Sequence, residues 1–136
     1  MRQFFVEDCK MQKNNILDHI GNTPLLNLEG IYVKCEFLNP SGSVKDRIAK
    51  YFIEKAEKSG LLKRGYTIVE ASTGNTGIAL SMVGTLKGYK VIIFIARGLT
   101  KERYAMINSF GAELRLVDKD RTDIAVKRAM ELGKKP

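Results

Sequence analysis

Six consecutive apolar residues, Val91-Ile92-Ile93-Phe94-Ile95-Ala96, constrain the fold of this chain more than any other segment. An uninterrupted run of this length is what a central parallel strand covered on both faces requires, and it is far too short to span a bilayer. Two flanking segments, Thr67–Ala71 and Glu113–Val117, also read as strands. Helical stretches separate them: Gly77 to Lys87 stopped at Gly88, Lys101 to Phe110 ended by Gly111, and Thr122 to Leu132. Upstream, Ile31 to Phe37 alternates apolar and polar positions and reads as a strand closed by the turn Asn39-Pro40-Ser41-Gly42. Ser43 followed by Asp46 resembles a capping box, and Ile48, Phe52 and Ala56 recur at four-residue spacing as far as Gly60, which predicts a helix. Strands alternating with helices of this length predict βαβ crossovers. The expected fold is α/β, an open, mostly parallel sheet with flanking helices, whose sites lie at the carboxyl ends of the strands. Residues 1–14 lack a clear period and read as an N-terminal arm, leaving 15–136 as one α/β domain.

Composition narrows the class. With 136 residues, 44% hydrophobic and 28% charged, the chain has room for one soluble core and shows no sign of disorder. The apolar start Phe4-Phe5-Val6 meets Glu7 and Asp8 at once, too short for a secretory signal, so a cytoplasmic location is expected and no membrane association. Cys9 and Cys35 show neither Cys-x-x-Cys spacing nor a histidine cluster, which argues for reduced thiols and no metal. The net charge of +8 is spread over Lys10–Lys13, Lys45–Lys63, Lys87–Lys90 and Lys127–Lys135 with no accompanying motif. A solvated basic surface explains it better than a nucleic-acid site.

Two loops, each following a strand and opening a helix, have the composition of binding segments. Ser72-Thr73-Gly74-Asn75-Thr76-Gly77 gathers three hydroxyls, an amide and two glycines at a helix start. Backbone N–H groups without intrahelical partners and the helix dipole suit a carboxylate or phosphate there, although the same residues also make an ordinary N-cap. The other loop leads into Lys45. A cation in the first turn of a helix opposes the macrodipole, which favours the neutral amine that Schiff-base formation with an aldehyde cofactor needs; a solvated charge is the plainer reading.

Ile20-Gly21-Asn22-Thr23-Pro24-Leu25, then Lys34 to Arg47 with Pro40-Ser41-Gly42-Ser43-Val44-Lys45-Asp46-Arg47, then Ser72 to Gly77, resemble in order and spacing three motifs of the cysteine synthase and cystathionine β-synthase family. Arg103 to Leu116, with Phe110-Gly111-Ala112-Glu113-Leu114, resembles a fourth. These are fold-type II pyridoxal-phosphate enzymes, and the similarity runs from about Ile16 to Leu132. The resemblance implies pyridoxal 5'-phosphate as cofactor, Lys45 as the lysine that binds it and moves the substrate's α-proton, and Asn75 as a partner of the ring hydroxyl. It implies Ser72, Thr73, Gly74, Asn75 and Thr76 as the loop that grips the carboxylate of a small amino-acid substrate. The implied reaction is β-replacement on an activated serine, O-acetylserine or O-phosphoserine, with sulfide giving cysteine. A homodimer is implied as well. Here the hydroxyl order is Ser72 then Thr73, where the family often has threonine then serine, which predicts altered substrate preference with the site retained.

Members of that family are considerably longer, and a second domain supplies a Gly-rich loop for the cofactor phosphate and a partner for the pyridine nitrogen. No second such loop follows Gly111. The expectation is therefore the N-terminal part of such an enzyme, without its cofactor-completing half. The alternative is a catalytically silent truncated remnant that serves as a binding or interaction module. His19, the lone histidine, reads as a bland turn residue. Met82, Met106 and Met130 read as core filler, and Asp46 and Arg47 as residues that orient a helix start.

Overall fold

The computed structural model describes residues 15–118 and 121–134, so the arm expected over residues 1–14 lies outside the described residues. A short 3-10 turn, Ile16–His19, leads into β1 (Leu25–Leu28) and β2 (Ile31–Lys34). Then follow α1 (Lys45–Lys58), β3 (Thr67–Ala71), α2 (Asn75–Leu86), β4 (Lys90–Ala96), α3 (Lys101–Ser109), β5 (Glu113–Val117) and α4 (Thr122–Gly133).

The parallel sheet has the order β3-β4-β5, with β4 at its centre. Val69 lies opposite Ile92 in one ladder and Ile93 opposite Leu114 in the other. Residues Val91 to Ala96 are all buried, as a strand covered on both faces demands. Their alternate side chains feed two cores. Val91, Ile93 and Ile95 meet Ile78 of α2 and Ile107 of α3 on one face, and Ile92, Phe94 and Ala96 meet Ala125 of α4 on the other. Both crossovers thus lie on one face and α4 covers the opposite one, the open α/β arrangement predicted from the sequence. Helix α1 stands one layer further out, packing Ala49 and Ile53 against Ala79, Leu80, Met82 and Val83.

Three expectations are corrected. The segment from Ile31 is no member of the parallel sheet; it ends at Lys34 and pairs antiparallel with β1, Leu25 opposite Lys34. Positive φ at both Glu29 (51°) and Gly30 (91°) makes the two-residue connection that matches strand twist in a hairpin, and the Asn27 side chain accepts the Gly30 N–H at 2.9 Å. On α1, the buried stripe is Asp46, Ala49 and Ile53, whereas Ile48 and Phe52 are exposed. Small Ala49 lets α2 approach closely, which turns the larger neighbours outward. Met82 is core and Met106 packs against the separate cluster around Ile93 and Ile107, but Met130 is exposed on α4.

Candidate active site

One carboxylate ties together the first two sequence motifs. Glu36 accepts from Arg47 Nε at 2.8 Å and Nη2 at 2.9 Å, from Asn39 Nδ2 at 2.9 Å and from Thr23 Oγ1 at 3.0 Å. Asn39 Oδ1 in turn accepts the Gly21 N–H at 2.9 Å, and Thr23 and Asn39 are both buried. The Arg47 guanidinium, with smaller help from Asn39 and Thr23, outweighs partial desolvation and holds the Glu36 carboxyl at about 2. Gly21 is required here: its φ is +96° and a Cβ would stand 3.0 Å from Arg47 Nη1. The Gly-Asn-Thr-Pro turn is thereby clamped to the start of α1.

The loop before Lys45 is held from inside. Gly42, at φ +88°, donates its N–H to Asn39 O at 2.7 Å, and the Ser43 hydroxyl accepts the Lys45 N–H at 3.2 Å. Asp46 does not complete the expected capping box with Ser43. Its fully buried carboxylate accepts the Ser41 N–H at 2.7 Å and also the Ser41 hydroxyl. Lys45 itself is the first residue of α1 and is exposed.

At the end of β3, the Ser72 N–H bonds Phe94 O at 3.1 Å and extends the sheet pairing by one residue. The Ser72 hydroxyl faces inward, accepting the N–H groups of Gly74 at 3.3 Å and Gly77 at 3.0 Å. Gly77 leaves room for that arrangement, since a Cβ there would lie 3.1 Å from Ser72 Cβ and 3.3 Å from Ile93 Cγ2. The two readings of this loop, helix cap and ligand loop, are therefore divided among its residues. Ser72 caps the helix, while Thr73 and Asn75 are exposed. The N–H groups of Asn75 and Thr76, the first two residues of α2, have no intrahelical acceptor and meet none elsewhere among the described residues. Such a helix start with free donors receives a carboxylate or phosphate readily.

The far ends of α1 and α2 show how the two loops stand to each other. Glu57 near the end of α1 pairs with Lys87 just past α2 at 2.8 Å, and Tyr89 donates its hydroxyl to the same carboxylate at 2.9 Å. The helices therefore run parallel, side by side. Lys45 and Asn75 each lie twelve positions upstream of that pair, so both helix starts share the end at which β3 delivers Ser72. Helices in contact stand about 8–10 Å apart, a span that one small ligand bridges. The common sheet edge expected for the two loops does not form, because the strand before Lys45 lies outside the parallel sheet; helix packing puts both helix starts at one end instead.

Sequence reasoning missed Thr23, Glu36 and Asn39 as the parts of the clamp. It also missed Tyr104, whose hydroxyl accepts the Leu99 N–H at 3.0 Å and donates to Ala96 O at 3.0 Å, fixing the loop after β4. His19 is exposed, and among the described residues no cluster of three metal-ligating side chains occurs.

A family profile described as pyridoxal-phosphate dependent enzyme matches residues 16–136. The chain is 46% identical over 112 residues to a cysteine synthase of Dictyostelium discoideum, covering 76% of this chain and 30% of the relative. It is 44% identical over 128 residues to a probable cysteine synthase of Bacillus subtilis (strain 168), covering 88% of this chain and 41% of the relative. The crystal structure of O-acetyl serine sulfhydrylase isoform 3 from Entamoeba histolytica superposes with a TM-score of 0.82 at 38% identity, over 96% of this chain and 43% of that one. The chain thus spans less than half the length of the relatives it matches.

Proposed function

Because this chain belongs to the pyridoxal-phosphate dependent enzyme family, we propose that it forms the lysine-bearing and carboxylate-binding part of a cysteine synthase-type centre, which replaces the β-substituent of O-acetylserine or O-phosphoserine with sulfide. One observation carries this reading. An exposed amine at the start of α1 and a helix start with unpartnered N–H groups lie at the same end of a parallel helix pair.

The residues fit the cofactor and its substrate. Lys45 would provide the primary amine for the cofactor's aldehyde and would carry the substrate's α-proton, and the Asn75 side-chain amide would pair with the ring hydroxyl. The N–H groups of Asn75 and Thr76, with Gly74 and the hydroxyls of Thr73 and Thr76, take the α-carboxylate. Ser72 contributes by holding the loop that presents them. When bound, pyridoxal phosphate supplies an electron sink that lets the α-proton and the β-substituent leave and a thiol or sulfide add. The Entamoeba histolytica structure, described as an O-acetyl serine sulfhydrylase, supports the acetylated substrate in particular.

The test is chemical trapping. Protein incubated with pyridoxal phosphate and reduced with borohydride should yield a pyridoxyl adduct on Lys45, found by peptide mass spectrometry, and Lys45→Ala should lose that adduct. Adducts scattered over exposed lysines with no preference for Lys45 would count against the reading. A second reading, an interaction module without activity, is favoured by the exposed apolar side chains Leu25, Leu28, Ile31 and Tyr32 of the hairpin, which offer a surface to further polypeptide.

A further inference from the structure

We propose that Asp46 is a positioning residue for Lys45, closing the loop in front of it into a hydrogen-bonded ring. The consequence for Lys45 rests on the function proposed above; the ring itself does not. Asp46 is fully buried in the first turn of α1. Burying a carboxylate is costly, and an apolar side chain of similar size would be buried more cheaply. Both partners of this carboxylate come from one residue five positions earlier: the Ser41 N–H at 2.7 Å and the Ser41 hydroxyl. The helix start adds a favourable field for a negative charge.

The ring encloses residues 42–45. Within it, Gly42 takes the left-handed conformation and Ser43 accepts the Lys45 N–H, so the chain leaves the loop through Lys45 in a fixed direction. Other contacts hold the surrounding fold: the Glu36–Arg47 pair on one side and the packing of Ala49 and Ile53 on the other. Loss of the Asp46 charge therefore frees the loop and the lysine while leaving those contacts in place. A merely structural Asp46 would change stability without changing how Lys45 compares with other lysines.

The experiment uses Asp46→Asn, Ser41→Ala and the parent protein, with amide hydrogen exchange over residues 42–45 and the Lys45 share of pyridoxyl adducts relative to Lys50 and Lys55, two lysines further along α1. Asp46→Asn should speed exchange in the loop by about tenfold, the loss expected for a hydrogen bond to a charged group, and lower the Lys45 share by a similar factor. Ser41→Ala, which keeps the carboxylate and the backbone donor, should fall between the two. If Asp46→Asn does not fold, Ser41→Ala carries the same readouts. Unchanged loop exchange overturns the ring, and a loosened loop with an unchanged Lys45 share overturns the positioning role. A parent protein with no preference for Lys45 defeats the functional reading instead, and loop exchange still judges the ring.

Discussion

Replacing Gly84 with alanine sets two opposing effects against each other at the seam between α2 and the sheet. Gly84 lies in the interior of α2 and is buried, where alanine gains about 1 kcal/mol of helix propensity over glycine. Its Cβ, however, would stand 2.6 Å from Val91 Cγ2 and 3.1 Å from Ile68 Cδ1. Val91 is buried on the central strand, its β-branched side chain is stiff at χ1, and close packing on both faces of β4 leaves it little room to yield. Overpacking of this kind costs about 1–3 kcal/mol, and the 2.6 Å contact places this case in the upper part of that range, so after the propensity gain the net effect should be a destabilisation of up to roughly 2 kcal/mol. Urea unfolding should show a lower midpoint with an unchanged slope. Gly133→Ala, with open space around its Cβ, serves as the control and should be neutral or slightly stabilising. Adding Val91→Ala to Gly84→Ala should cost less than the two changes separately, with a coupling of about 1 kcal/mol. A midpoint for Gly84→Ala equal to or above that of the parent would refute the argument, because propensity would then have prevailed over contact.

Two further outcomes follow from groups at the candidate site. Ser72→Ala removes the acceptor of the Gly74 and Gly77 N–H groups and should lower stability by about 1 kcal/mol, the usual cost of losing a helix cap; no change in the urea midpoint would show that the hydroxyl does not cap α2. Glu36, held at about 2 mainly by Arg47 and lying below the ordinary 4.5, contributes stability that is fully present above about pH 4.5 and is lost as pH falls towards 2. Glu36→Gln should therefore be less stable at neutral pH and show a shallower acid decline across that window than the parent; parallel acid curves for the two proteins would contradict the assignment.

How much could be read from the sequence varied with the physics of each segment. The bounds of β3 and β5 were legible to the residue, and those of β4 to within one, because strands inside a covered sheet have few ways to satisfy their apolar side chains. The segment Ile31–Lys34 misled because alternation identifies a strand but not its partner. That partner, Leu25–Leu28, is selected by the Glu29-Gly30 turn, and glutamate at positive φ gives no strong sequence signal. On α1, apolar spacing indicated a helix but the wrong stripe, since a carboxylate is rarely expected inside and Asp46 is among its most buried residues. The loop Ser72–Thr76 was visible as a set of donors and hydroxyls. Its division of labour was not, because whether a serine faces its own helix or a ligand depends on the clearance that Gly77 provides.

The parallel pairing of α1 and α2 makes the site depend on counting as well as on chemistry. One residue inserted between Lys45 and Glu57, or between Asn75 and Lys87, would turn that helix's start by about 100° and shift it by about 1.5 Å relative to the anchored end. Many side chains along these two stretches can change without shifting one helix start relative to the other, but the number of residues cannot. Length changes should therefore be tolerated in the connections beyond the ion pair, such as the segment from Ser59 to Tyr66, where chain length sets no angle at the site.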